Sequence, residues 1–432
     1  CDVEEFRLSD NLYDGNDAQY GNSMANRFHE DEFDMSGSIF DVFDCGNEEN
    51  EVSTIWVKVE PEASVDYDDG AGQLCAFTAP HVYVDSSIPQ ECLDEGCGFS
   101  NNPFKTIART LEMINATDSN PITIHLAAGT YSPESGENFP INMISNVNIE
   151  GEDEENTIID AMQSSRVITM DYCNNNTISG ITITGGLVEG GYSNESGSGM
   201  YLNASNPTLT NVTISGNTAT DEDGGGIYVA HSNPILTHVT ITNNTASRCG
   251  GMYLWFSDPT LTNVTISGNT ATDEDGGGMY VAHSNPILTH VTITNNMATN
   301  GGGIYLDHSD ATLTNSIIWD NSPQSIYLYI GNEQAIITFS DIEGGWEGEG
   351  NIDADPLFTN PENGDCSLQE GSACIDTGYP NLWYEDLDGT ASDMGATGGL
   401  FVLPNFTSHD FGEVGDIGSS KQFTLYNYRE TP

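Results

Sequence analysis

The stretch Pro207–Asn244, PTLTNVTISGNTATDEDGGGIYVAHSNPILTHVTITNN, returns almost unchanged 52 residues later as Pro259–Asn296. A shorter period runs inside it. Gly, an aliphatic residue and Tyr recur as Gly199-Met200-Tyr201, Gly226-Ile227-Tyr228, Gly251-Met252-Tyr253, Gly278-Met279-Tyr280 and Gly303-Ile304-Tyr305. The Tyr-to-Tyr steps are 27, 25, 27 and 25 residues. A fixed period in this range marks a solenoid, in which each repeat buries its apolar face only against its neighbours.

Within Gly197–Asn321 every coil reads alike. Gly225-Gly226-Ile227-Tyr228-Val229 is a strand with Ile227 and Val229 inward, and Ser232-Asn233-Pro234 turns the chain because Pro fixes φ and removes a donor. Leu236, Val239 and Ile241 point into the core along the next strand or pair of short strands. Asn244 closes the coil at a position that tolerates a left-handed conformation. It belongs to a series, Asn217, Asn244, Asn269, Asn296 and Asn321, each three residues after an Ile. Side chains one coil apart stand about 4.8 Å from each other, so this series is expected to form a hydrogen-bonded Asn ladder. At about 25 residues a coil, His81 to Gly345 supplies about ten coils, a rod about 50 Å long.

Composition agrees with an all-β body. Gly is abundant (46 of 432 residues), and Thr, Ile, Val and Asn fill the repeats. There are 66 acidic residues against 9 Lys plus Arg, a net charge of −57. Nucleic acid and anionic lipid both need a basic face, so neither is expected as a partner. Divalent cations or high salt would screen or coordinate such a surface. No stretch approaches the 18 apolar residues of a membrane-spanning helix. The nine cysteines form no C-x-x-C zinc or haem pattern, and Cys92/Cys97 and Cys366/Cys374 are near enough in sequence to bridge local loops in an oxidising compartment. A secreted or cell-surface chain is expected, trimmed or processed at Cys1, which is itself a candidate lipidated terminus.

Residues 1–75 are acidic and aperiodic, an N-terminal region or small β domain with one expected strand at Val52–Val59. Residues 76–345 form the β-helix. His81–Asp85 is a strand, Ile107–Ile114 is a helix with Ile107, Leu111 and Ile114 on one face, Ile122–Leu126 is a strand, and Ala128–Tyr131 is a turn. The wording Asn102-Pro103-Phe104-Lys105-Thr106-Ile107, followed by Ala128-Gly129-Thr130-Tyr131, resembles the N-terminal segment of secreted right-handed parallel β-helix (pectin-lyase-like) proteins. That resemblance implies a right-handed parallel β-helix with an N-terminal cap. The Gly-Gly-aliphatic and Ile-x-x-Asn repeats also resemble those of polymorphic outer-membrane protein adhesins, over Gly197–Asn321. Residues 346–399, with Gly350–Phe358, Gly364–Leu368, Gly371–Asp376 and Asp386–Gly395, resemble the cap that closes these secreted β-helices, and a Cys366–Cys374 bridge fits that likeness. Residues 400–432 resemble the first strands of an immunoglobulin-like module, with Asp410–Val414 and Lys421–Asn427 as a hairpin. Alternatively they are a segment that pairs with another subunit.

The same shape carries polysaccharide lyases, polygalacturonases and pectin esterases, so the resemblance also implies a catalytic alternative. Those activities need clustered carboxylates, often with Ca²⁺, and a poised basic group. In the coils only Arg166 and Arg248 qualify. Arg248 aligns with Asp223 in the coil below and Asp275 in the coil above, which is either a lyase-like site or an Arg relieving two acidic loops. The acidic triplet occurs twice, as Asp221-Glu222-Asp223 and Asp273-Glu274-Asp275, and so do the His pairs His231/His283 and His238/His290, whereas an active site is single. These histidines are expected to be solvated. Ca²⁺ candidates are Asp221, Asp223, Asp273 and Asp275 in the loops, and Asp386, Asp388 and Asp393 in the cap. The expected function is non-enzymatic: adhesion, glycan contact, or matrix or filament assembly with itself. Tyr201, Tyr228, Tyr253, Tyr280 and Tyr305 form the expected contact ladder. The competing expectation is a Ca²⁺-dependent polysaccharide lyase or glycoside hydrolase.

Overall fold

The computed structural model describes residues 78–90, 97–190, 196–329, 334–361, 364–380, 384, 386 and 390–399. It also describes short strands at Leu12–Tyr13, Phe33–Asp34, Ile39–Phe40, Val65–Asp66, Val402–Pro404 and Leu425–Asn427. Val52–Val59 and Asp410–Val414 lie outside these residues. Leu425–Asn427, inside the expected Lys421–Asn427 strand, pairs antiparallel with Val402–Pro404.

The body is a parallel β-helix. One long sheet starts at His81–Val84, continues through Ile122–Leu126, Val147–Gly151 and Thr177–Thr184, and ends at Gln334–Thr338. A second sheet of eight strands runs from Ile141–Asn142 to Ile326–Leu328, and a third of four runs from Leu187–Glu189 to Thr270–Ala271. About eight coils are complete, because eight strands fill the second sheet, against the ten expected. At the N-terminal end the helix Ile107–Met113 precedes the first strand of that sheet, and Gln334–Thr338 has no second-sheet partner among the described residues. The helix is capped by Thr106, and the Glu137 carboxylate accepts from the backbone nitrogens of Ile107 (2.6 Å) and Ala108 (2.9 Å).

Inside, like residues stack on like. Ile227 pairs in register with Met200 and Met252, and Ile241 with Ile214 and Ile266; all are fully buried. At about 25 cal/mol per Å² of apolar surface, these columns are the main source of stability. The eight-residue strands such as Ile235–Thr242 are two short strands meeting at a corner. The corner residues Asn211, His238, Asn263 and His290 all have φ of 52°, a left-handed conformation that Asn and His adopt more readily than most residues.

The Asn ladder forms as expected. Asn217, Asn244, Asn269, Asn296 and Asn321 are buried, and each Nδ2 also reaches a carbonyl of a neighbouring coil, as from Asn244 to Ile214 (2.9 Å). The left-handed residue is the one before each: Gly216 (66°), Asn243 (54°), Gly268 (66°) and Asn295 (54°). This frees the ladder residues to point inward. A second ladder, of serines, runs beside the turns: the backbone nitrogen of Ser232 donates to Ser257 Oγ (3.0 Å) and that of Ser257 to Ser284 Oγ (2.8 Å).

The described residues of the C-terminal cap do more than close the end: Tyr379, Ser392, Ala396 and Gly398 lie along the corner. Asn263 Nδ2 donates to the carbonyls of Ala396 (3.0 Å) and Gly398 (2.8 Å), and Tyr379 N donates to Asn315 Oδ1 (2.6 Å). His290 Nε2 lies 2.6 Å from Ser392 Oγ. His290 is therefore buried rather than solvated, and His238, on the same corner two coils back, is half-buried. Burial pushes both imidazoles down to about 4.

Candidate functional site

The Gly pairs set the surface. A Cβ on Gly226 would stand 2.7 Å from the Gly251 carbonyl oxygen and 3.0 Å from Asn244 Nδ2, so only Gly lets the coils close to sheet spacing there. The next outward residue is Tyr, and the register places Tyr201, Tyr228, Tyr253, Tyr280 and Tyr305 in one file. Their ring centroids are 5.6, 5.1, 5.0 and 4.8 Å apart and near-parallel. Tyr327 extends the file by a further 5.1 Å. Tyr253 and Tyr305 are buried; the other three are half-buried. Burial raises the hydroxyl pKa of Tyr228 to about 12, with Asp223 adding to the effect.

Both candidate arginines lie against this file. Arg166 covers the Tyr201 ring (4.8 Å to the centroid) and donates to the carbonyls of Gly197 (2.9 Å) and Ser196 (2.8 Å). Arg248 covers Tyr280 at 5.5 Å and lies 3.6 Å from Asp223 Oδ2. Its upper partner is Glu274, which it meets through both Nε and Nη2. The expected partner Asp275 instead accepts from Asn300 Nδ2 at 2.7 Å. Burial disfavours the Arg248 charge, but Asp223 and Glu274 outweigh this and hold its pKa above the ordinary value. Burial also raises the Asp223 carboxyl; Arg248 opposes that shift and Glu274 adds to it.

The residues three places after Tyr228, Tyr253, Tyr280 and Tyr305 form a second, outer file. His231 and Phe256 stack at 5.6 Å, Phe256 and His283 at 4.7 Å, and His283 and His308 at 5.1 Å. Phe256 is 49% exposed, and Trp255 meets it edge-on at 5.0 Å. Beside them runs a polar file in which Asn233 Oδ1 accepts from Asp258 N (2.7 Å) and Asp258 Oδ1 from Asn285 N. Counting three places on from Tyr228, Tyr253, Tyr280 and Tyr305 reveals this file of rings in the sequence.

Among the described residues, one group of three metal-type side chains converges: Asp376, Asp386 and Asp393, with ligand atoms within 4.8 Å of one another. Asp376 joins the two expected cap residues Asp386 and Asp393, and Asp388 lies outside the described residues. Asp386 is buried, and its oxygens accept from Gly399 N (2.7 Å) and Asp393 N (3.1 Å). Three carboxylates this close suit a hard cation such as Ca²⁺. Asp221, Asp223, Asp273 and Asp275 form no such group. Cys97 is disulfide-bonded, and Cys92 lies outside the described residues. Cys366 and Cys374, expected as a bridge, are free and buried. Cys366 packs in a small apolar cluster with Ile317, Phe358 and Met394, while Cys374 Sγ donates to Asp341 Oδ2 at 3.1 Å.

Parallel coils, aliphatic columns and a buried Asn ladder define a parallel β-helix repeat protein. The chain belongs to the family described as "protein of unknown function (DUF1565)", whose model matches residues 93–341. No curated protein matches the sequence. Among solved structures, a pectin methylesterase variant in complex with a hexasaccharide is 13% identical, with a TM-score of 0.39 over 66% of this chain and 98% of that one. Pectin methylesterase from Yersinia enterocolitica is 13% identical, with a TM-score of 0.38 over 58% and 95%. A pectate lyase is 12% identical, with a TM-score of 0.37 over 74% and 96%. No helix among the described residues is long and apolar enough to cross a membrane.

Proposed function

We propose that this chain is a non-enzymatic, extracellular or cell-surface β-helix rod that contacts neutral glycans through its outer aromatic file. The observation that carries the reading is the exposed Phe256, flanked by Trp255 and by the stacked His231 and His283, with the polar file of Asn233, Asp258 and Asn285 alongside. Rings beside amide and carboxylate acceptors suit a sugar, which offers both apolar faces and hydroxyls. A net charge of −57 disfavours acidic polymers. Arg166 and Arg248 are engaged by carbonyls, carboxylates and Tyr rings, which supports a structural use over a catalytic one. On this reading Asp376, Asp386 and Asp393 hold Ca²⁺ and firm the cap, and the repeated surface serves adhesion or self-assembly.

Affinity electrophoresis of the full chain through gels holding neutral or acidic polysaccharides tests the proposal. Retardation by a neutral polymer, abolished in Trp255→Ala/Phe256→Ala, is the expected result. Retention unchanged in that variant overturns the contact surface. Release of reducing ends or unsaturated sugars, lost in Arg248→Ala, establishes the competing lyase or hydrolase reading.

A further inference from the structure

On the outer face of the first coils, His81–Val84 pairs in parallel with Ile122–Leu126, which pairs with Val147–Gly151. The register brings Tyr83 over His125 and His125 over Glu150. His81 Nδ1 lies 3.0 Å from His125 Nε2. The other nitrogen of His125, Nδ1, lies 3.3 Å from Glu150 Oε2. Tyr83 stacks on the His125 ring, with centroids 5.0 Å apart at 23°, so the ring is held from one face by Tyr83 and from its edge by Glu150.

Metal–nitrogen bonds of about 2.0–2.1 Å place two ligand nitrogens about 2.9–3.4 Å apart for angles between square and tetrahedral. The spacing of the two imidazoles falls within that range. The carboxylate behind His125 matches the usual support of a ligating imidazole, in which the nitrogen away from the metal donates its hydrogen to Asp or Glu. We propose that His81 Nδ1 and His125 Nε2 form a bidentate site for a borderline divalent transition metal such as Zn²⁺ or Cu²⁺, with Glu150 as the positioning residue. Water completes the coordination. Imidazole ligands select these ions over Ca²⁺ and Mg²⁺, which prefer oxygen. The ion joins the first two strands of the long sheet, at the N-terminal end of the rod.

The test is calorimetric titration of the full chain with Zn²⁺ in excess Ca²⁺, which occupies the carboxylates. The expected result is one saturable equivalent that disappears in His81→Gln/His125→Gln and persists in His231→Gln/His283→Gln. Glu150→Gln should bind about 10–100-fold more weakly. His81 is exposed, so His81→Gln alone leaves the core intact, and at least a tenfold loss of affinity is expected from it. The proposal is overturned if the wild type shows no saturable Zn²⁺ equivalent, or if the His81/His125 variant keeps it.

Discussion

Asn217 donates twice to one atom of Asn244: its backbone nitrogen and its Nδ2 both lie 3.0 Å from Asn244 Oδ1. The arrangement repeats from Asn244 to Asn269 and from Asn269 to Asn296. Asn269→Ala removes the acceptor for Asn244 and leaves buried donors unmet, at about 3 kcal/mol or more. Asn269→Asp keeps the acceptor but sets a buried charge against the Asn296 oxygen and the Ile241 carbonyl, and is expected to cost more. Urea midpoints and amide exchange in adjacent coils measure both. A shift below about 1 kcal/mol for Asn269→Ala would show that the ladder is dispensable.

Arg248 is expected to behave as a structural ion-pair centre. Arg248→Ala leaves the Asp223 carboxylate facing Glu274 without its cation, costing about 1–2 kcal/mol for this partly exposed group. In Arg248→Ala/Asp223→Ala the loss should be smaller than the sum of the single losses. Additive values from a double-mutant cycle would contradict the pairing.

His290 makes the cap acid-sensitive. Its pKa is near 6.5 unfolded and about 4 folded, so the stability of its neutral form is full above pH 6.5 and is lost as pH falls toward 4. His290→Asn supplies the residue already found at Asn263 and Asn315 in the same corner file, where a left-handed φ is required. Across pH 6.5 to 4 the variant should lose about 2–3 kcal/mol less than the wild type. Thermal midpoints across this range, with amide exchange at residues 390–399, give the comparison.

Asp341 has the opposite sign. Burial raises its pKa to about 6, with the Cys374 thiol and Ala354 N opposing the shift. The protonated form therefore stabilises the fold below about pH 4, and that contribution is lost as pH rises through 6. Asp341→Asn should stabilise the protein by about 2–3 kcal/mol at pH 8 and by nothing at pH 4. Equal effects at both pH values would mean that ionisation at this site does not couple to folding.

The solenoid was legible because its period is local. Every strand is written in the same words, and the register of Tyr228, Ile241 and Asn244 follows from counting. Spacing identifies a file, however, without giving the backbone angle: the left-handed residue is Asn243, one place before the ladder residue Asn244. Contacts that depend on side-chain length escaped for a related reason: Glu274 reaches Arg248 from one residue out of the counted alignment with Asp275. The cap was hardest to read. His290 and Ser392 are 102 residues apart, and nothing in a repeat announces which coil a returning segment will cover. Asp376 joined Asp386 and Asp393 by the same long-range folding.

The contacts of Tyr379, Ser392, Ala396 and Gly398 along the corner have a mechanical consequence. Sheet hydrogen bonds in a solenoid run along its axis, so pulling on the two ends loads them one coil at a time, as a zipper does. The contacts from Asn263, His290 and Asn315 to the returning segment tie three successive coils to one strap. Under tension those coils must give way together. The rod therefore pays out from its unstrapped end first, keeping the strapped end as its grip.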